Sequence, residues 1–255
     1  MRLPRRLRPG EEATLYEHLG ELRARLFICL FAVGVGFVVA FAFHDHLVRA
    51  LEHALPANRR HLITFGVAEP FLTSLWVSLW AGFALALPVV LWQIWSFLAP
   101  ALELRTQRTV AAFVLCATGL LACGLAFAYY LALPAAVHFL TNYDSNLYDI
   151  NVRARDYISF ALVVMAAVGV VFELPIVVLA LVRLGILTTQ KLRRNRRLGY
   201  VIVAAIAVAL PGVDPVTTTL EAIPLIALYE GSIWVAVFFE RRWRPAPLRE
   251  AGEPL

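Results

Sequence analysis

An all-α, polytopic membrane protein with six transmembrane helices is what this sequence predicts. Three observations carry that prediction: apolar content, the length of the apolar runs, and the uneven placement of the basic residues. Sixty per cent of the 255 residues are hydrophobic, where a soluble domain carries roughly 45–50% even with glycine counted. Only 16% are charged, against about 25% for an ordinary soluble chain. So few charges could not cover the surface of a soluble fold, and the apolar surplus needs lipid.

A bilayer core about 30 Å thick requires roughly 20 apolar residues at 1.5 Å rise each. Four segments reach that length: Leu26–Phe43, Phe71–Phe97, Thr109–Val137 and Tyr157–Val182. Two more, Leu198–Leu210 and Leu220–Phe239, flank Pro211-Gly212-Val213-Asp214-Pro215 and three threonines, and read as a tight helical hairpin. The first of this pair spans only about 20 Å at helical rise, so it is expected to thin the membrane or to shelter among its neighbours. The first apolar run reads as a span and not as a cleaved leader, because it continues into the multi-span pattern without a small-residue cleavage site. The expected shape is a concave helical bundle ending in two short helices.

Basic residues mark the cytoplasmic loops of membrane proteins. With six spans, the N-terminus, the second loop (Arg105, Arg108), the fourth loop (Arg183 to Arg197) and the C-terminal tail share one side and hold eighteen of the 23 lysines and arginines. Arg49, Arg59, Arg60, Arg153 and Arg155 fall on the other. Both termini are therefore expected in the cytoplasm, and the chain divides into a cytoplasmic amphipathic segment (1–25), a membrane domain (26–239) and a cytoplasmic tail (240–255). The net charge of +5 follows from this bias. Anionic headgroups of the lipid bilayer, and not nucleic acid, are the expected partners of these arginines.

Cys29, Cys116 and Cys123 lie inside apolar runs without C-x-x-C spacing and read as small buried packing residues. The six histidines sit at or beyond span ends without carboxylate or cysteine at ligand spacing, so neither a metal site nor any other cofactor is expected. Trp76, Trp80, Trp92 and Trp95 lie towards the ends of the second span and read as interfacial anchors.

A few polar residues invite a functional reading. Leu15, Leu19, Leu22 and Leu26 form one apolar stripe on a helix able to lie in the membrane interface. Glu21 points about 120° away from that stripe, towards water. Spacing alone reads it as half of a solvated pair with Arg25 at i, i+4. Glu173, within Phe172-Glu173-Leu174-Pro175, lies deep in the fourth span. An ionisable group there costs about 2.5–3.5 kcal/mol on insertion scales and normally faces a cavity or pathway. Pro175 removes a helix hydrogen bond beside it. The competing reading of Glu173 is an interhelical hydrogen bond from a protonated carboxyl. Glu221 and Glu230 lie in the last span, next to Thr217, Thr218 and Thr219 at its start.

The run His18-Leu19-Gly20-Glu21-Leu22-Arg23-Ala24-Arg25-Leu26 resembles the cytoplasmic signature H-L-x-E-L-R-x-R-L that opens TatC proteins. Trp95-Ser96-Phe97-Leu98-Ala99-Pro100-Ala101-Leu102 is similar to that family's first cytoplasmic loop, and Phe172-Glu173-Leu174-Pro175 to its F-E-x-P element. Asp214 with Ala222-Ile223-Pro224 resembles its last external turn and sixth helix. These matches occur in order across almost the whole chain. The resemblance implies a receptor of the bacterial cytoplasmic (inner) membrane, and not an enzyme. Such a receptor binds the paired arginines of signal peptides on folded cargo, associates with itself and with single-span TatA- and TatB-type proteins, and uses the proton motive force.

On the matching positions, the resemblance implies signal-peptide binding by Glu21, Arg23 and Phe97. Carboxylates suit the task because a planar guanidinium pairs with them in a two-point geometry that an ammonium cannot reproduce. The family's second signal-binding glutamate falls at Thr106 here. Glu103, almost one helical turn earlier, is the expected replacement, the alternative being that it pairs with Arg105 or Arg108. Asp214, Thr218 and Glu221 are the implied partner contacts, Thr218 standing where the family often carries glutamine.

Two rivals belong to other classes. An intramembrane protease needs a G-x-S nucleophile with a histidine base at membrane depth, or two intramembrane aspartates, and the sequence holds neither. A proton- or solute-coupled transporter could use Glu173, but such proteins often carry paired broken helices in two repeated halves. No such repeat is legible here.

Overall fold

The computed structural model describes residues 15–99, 107–143, 145–147, 150–183, 186–210 and 215–243. Among these the regular structure is helical, joined by turns and short loops, with one isolated β-bridge between Ile63 and Arg153. Among the described residues, five helical segments are long and apolar enough to cross a membrane: His18–Ala42, Glu69–Leu98, Val110–Asn142, Ala154–Arg183 and Pro215–Phe238. They match the four long runs expected from the sequence and the final one, with Phe43, Thr109 and Phe239 falling one residue outside them. Of the two final helices expected to be short, only Arg196–Ala209, at 14 residues, is so; the last, Pro215–Trp243, runs to 29 residues because the helix begins before the apolar run and continues past it.

Helix α1 (Leu15–Ala42) is continuous. The leucine stripe expected on a separate interfacial segment instead extends the first span as one rod, and Leu19, Leu22 and Leu26 are exposed along it. After the short α2 (His44–His53), α3 (Glu69–Leu98) returns along α1. Gly36 and Gly82 allow the two backbones to touch, since a Cβ on Gly82 would lie 2.6 Å from Phe37 Cα. Small residues let membrane helices pack on backbone contact where no hydrophobic effect drives them together.

The third crossing is α4 (Gln107–Phe127), a π-helical turn over Ala128–Ala132, and α5 (Leu133–Asn142). The π turn lies next to Pro134, which has no N–H to give. The Leu133 N–H reaches back five residues to Ala128 O, so the helix continues past the proline by widening locally. The fourth crossing divides at Glu173 into α6 (Ala154–Phe172) and α7 (Leu174–Arg183). Here the Glu173 N–H bonds Val170 O at 3.1 Å, three residues back. The break lies two residues before Pro175, whose missing N–H removes a helix hydrogen bond there. Helix α8 (Thr189–Arg194) then leads into α9 (Arg196–Ala209), which packs with α10 (Pro215–Trp243).

Two expectations change once the helices are packed. Trp95 is 5% exposed and lies 5.1 Å from the Phe113 ring, so it fills the core between α3, α4 and α7 and does not anchor the interface. Cys116 and Cys123 are exposed and Cys29 is half-buried, so none is the buried packing residue expected. An apolar run shows that a residue sits at membrane depth, and only packing decides whether it faces protein or lipid.

The bundle end that carries α2 is tied by polar contacts. Glu69, 6% exposed, accepts hydrogen bonds from Arg153 Nε at 2.9 Å and Nη2 at 3.1 Å, and from the backbone N–H groups of Phe65 and Gly66. The carboxylate raises the Arg153 pKa above its ordinary value by hydrogen bonding to the charged form. Tyr129 donates to Ala50 O and Tyr157 to Leu51 O. Glu69→Leu would remove the acceptor shared by both amides and the guanidinium, leaving Arg153, among the described residues, only the Asp156 carboxylate at 4.0 Å, whereas Glu69→Gln keeps shape and partial bonding. Thermal unfolding in detergent is expected to rank parent above Gln above Leu, and equal midpoints for parent and Leu would show that the clamp carries no stability.

Candidate functional site

At the opposite end, the start of α1 meets the end of α3. Glu21 and Arg25 share one face of α1, four residues apart, and each side chain is 19% exposed. Arg25 Nε and Nη2 both converge on Glu21 Oε1, at 3.1 and 2.5 Å. The same guanidinium reaches across to α3, where Nη1 donates to Gln93 Oε1 at 3.2 Å and Gln93 O at 3.4 Å, and Nη2 to Ser96 O at 3.4 Å. Ser96 lies in the last turn of α3, whose carbonyls lack partners within the helix and carry its negative dipole end. A cation is favoured there. His18 stacks on Phe97 with ring centroids 4.3 Å apart, and its Nδ1 lies 4.0 Å from Glu21 Oε2.

Two of the predicted signal-binding residues, Glu21 and Phe97, are thus brought to one place. Arg23 is exposed, about 200° around α1 from Glu21 by helical spacing. Glu103 and Thr106 lie outside the described residues, as does Asp214. Sequence reasoning missed the roles of His18, Gln93 and Ser96. The H-L-x-E spacing places His18 one turn before Glu21, but nothing in the sequence shows that α3 ends beside them.

Away from this end, Glu173 is half-buried at the α6–α7 break. Its Oε1 is buried without a hydrogen-bond partner among the described residues. Buried polar atoms are nearly always satisfied, so this oxygen at a helix break calls for a direct test of its access to water. A cysteine placed at 173, in a chain lacking the native three, is expected to react with small polar thiol reagents. No reaction in a folded variant would place the residue in packed protein or lipid. Thr217 and Glu221 are buried at 0% and 1% exposure, facing the bundle interior from α10, while Thr218 beside them is half-buried. Glu230, singled out in the sequence, joins α10 to α9 through partners the sequence did not show: the Tyr200 hydroxyl donates to it, and Arg196 Nη2 lies 3.5 Å from its Oε2.

Five long apolar helices among the described residues define a polytopic membrane protein, at one end of which a carboxylate and helix-end carbonyls converge on a guanidinium. The family model for Sec-independent protein translocase protein (TatC) matches residues 17–224, and the chain belongs to that family. A Sec-independent protein translocase protein TatC from Carboxydothermus hydrogenoformans is 35% identical over 228 residues, covering 89% of this chain and 94% of the relative. A TatC protein from Deinococcus radiodurans is 36% identical over 92% of each chain. A chloroplastic relative from Arabidopsis thaliana is 34% identical over 88% of this chain and 66% of its own. The fold is similar to a crystal structure of a twin arginine translocase receptor, TatC, with a TM-score of 0.74 and 35% identity over 88% of this chain and 100% of that one.

Proposed function

We propose that this chain is the receptor and core component of a twin-arginine translocase, binding the paired arginines of signal peptides on folded proteins and assembling the translocation site. The observation that carries the reading is the Glu21 site, which already holds a guanidinium between a carboxylate and the end of α3. Membership of the TatC family supports it independently. Glu21 is the principal arginine acceptor and Phe97 its aromatic wall, with Arg23 at the rim and Glu103 the second carboxylate. The partners are TatA- and TatB-type single-span proteins, met through Asp214, Thr218 and Glu221, and further copies of this chain. The chain acts by binding, not by catalysis, and transport draws on the proton motive force.

The proposed topology has six spans in the bacterial inner membrane, α9 being the short one, with both termini cytoplasmic. The arginine bias and the alternation of the helices support it. Single cysteines at Ala57, Ser145 and Val213 are expected to label with a membrane-impermeant reagent in intact cells, and one at Asn195 to stay protected. The reverse pattern would invert the topology and put the Glu21 site on the wrong side. The function itself is tested by binding of a twin-arginine peptide to the purified chain, which should be lost when the peptide's arginines become lysines. Equal affinity for both peptides would refute arginine recognition.

A further inference from the structure

The Arg25 side chain makes the contacts that an incoming arginine would seek. Three guanidinium nitrogens donate to four acceptors on two helices: Glu21 Oε1, Gln93 O, Gln93 Oε1 and Ser96 O. These acceptors diverge around a planar fork, and the single nitrogen of a lysine could not meet them together. The site is therefore a guanidinium slot, and at rest it is full. Glu21 faces an approaching peptide as half of a neutral pair.

We propose that Arg25 is the resident occupant of the signal-arginine slot, and that a signal peptide binds by exchanging its own arginine for Arg25. This rests on the reading of Glu21 as the signal-binding carboxylate. Exchange is chemically balanced, because the bonds that Arg25 gives up are those the peptide arginine makes. The advantage of the newcomer lies in geometry. Nε and Nη2 of Arg25 both crowd onto Oε1, reaching it from one helical turn away on the same helix. An arginine arriving on a separate chain can take Oε1 and Oε2 together in the two-point pairing that carboxylates favour. A lysine gains less, because it would evict Arg25 and leave the Gln93 and Ser96 acceptors unmet. Discrimination against lysine is thus sharpened by the occupant as well as by the slot.

The test is a binding cycle with a twin-arginine peptide on the full chain in detergent, using Arg25→Gln, Arg25→Lys, Glu21→Gln and the Glu21→Gln/Arg25→Gln double variant. Removing the occupant should tighten binding about tenfold in Arg25→Gln, the low end of what one charge-assisted hydrogen bond is worth. Arg25→Lys should fall between that variant and the parent. Glu21→Gln should weaken binding about tenfold in the parent but about 100-fold in the Arg25→Gln background, because there the carboxylate is no longer contested. A second measurement needs no substitution: modification of Arg25 by an arginine-selective dicarbonyl, read by mass spectrometry, should be slow in the free chain and fast with peptide bound. If Glu21→Gln changes binding in neither background, the reading of Glu21 itself fails. If it weakens binding equally in both, and Arg25 stays protected with peptide bound, the exchange is overturned while that reading stands. The dicarbonyl result decides the matter if Arg25→Gln does not fold.

Discussion

Glu21→Gln is expected to cost the chain about tenfold in affinity for a twin-arginine peptide, and up to about 150-fold where no internal arginine competes. The amide preserves size and hydrogen-bonding capacity, so the loss isolates the charge. A hydrogen bond to an ionised partner contributes about 1.5–3 kcal/mol, equivalent to roughly 10- to 150-fold in binding. The parent sits at the lower end because Arg25 already holds Oε1. The second carboxylate is addressed by the same titration: Glu103→Gln should weaken binding, and Thr106→Glu should restore it in that background. If Glu103→Gln binds like the parent while Thr106→Ala does not, the relocation of the second carboxylate is wrong. Thermal midpoints recorded alongside separate lost recognition from lost fold.

Gly82→Val is expected to have the largest effect on the fold itself. A Cβ at Gly82 would stand 2.7 Å from Gly36 C and 2.6 Å from Phe37 Cα, and backbone cannot rotate aside as a side chain can. Forcing extra methyl groups into a packed contact costs about 1–3 kcal/mol. Valine adds two beyond Cβ. Helix α1 would have to move off α3, and with it Glu21 and Arg25 would leave Gln93 and Ser96. Both the thermal midpoint and peptide affinity should therefore fall. Gly34 has open space where its Cβ would be, so Gly34→Ala is the control and should change neither. A Gly82→Val chain that melts and binds like the parent would show that the α1–α3 contact is not what positions the site.

The sequence by itself determined everything set within one helical turn or by the length of an apolar run. Membrane residence, the long spans and the break ahead of Pro175 follow from hydrogen-bond satisfaction in lipid and the missing proline N–H. So does the Glu21–Arg25 pair, because residues four apart on a helix are neighbours whatever else the chain does. The ordered motifs by themselves carry the resemblance to the TatC family. Tertiary structure alone decided which faces meet. Arg25 joins Gln93 across 68 residues, Glu69 joins Arg153 across 84, Trp95 enters the core, and Glu221 turns inward. None of these could be read from spacing, because the rotation and crossing of two helices depend on how their whole surfaces fit. In lipid, where apolar faces gain little from mutual burial, small residues such as Gly36 and Gly82 and a few polar contacts settle that fit.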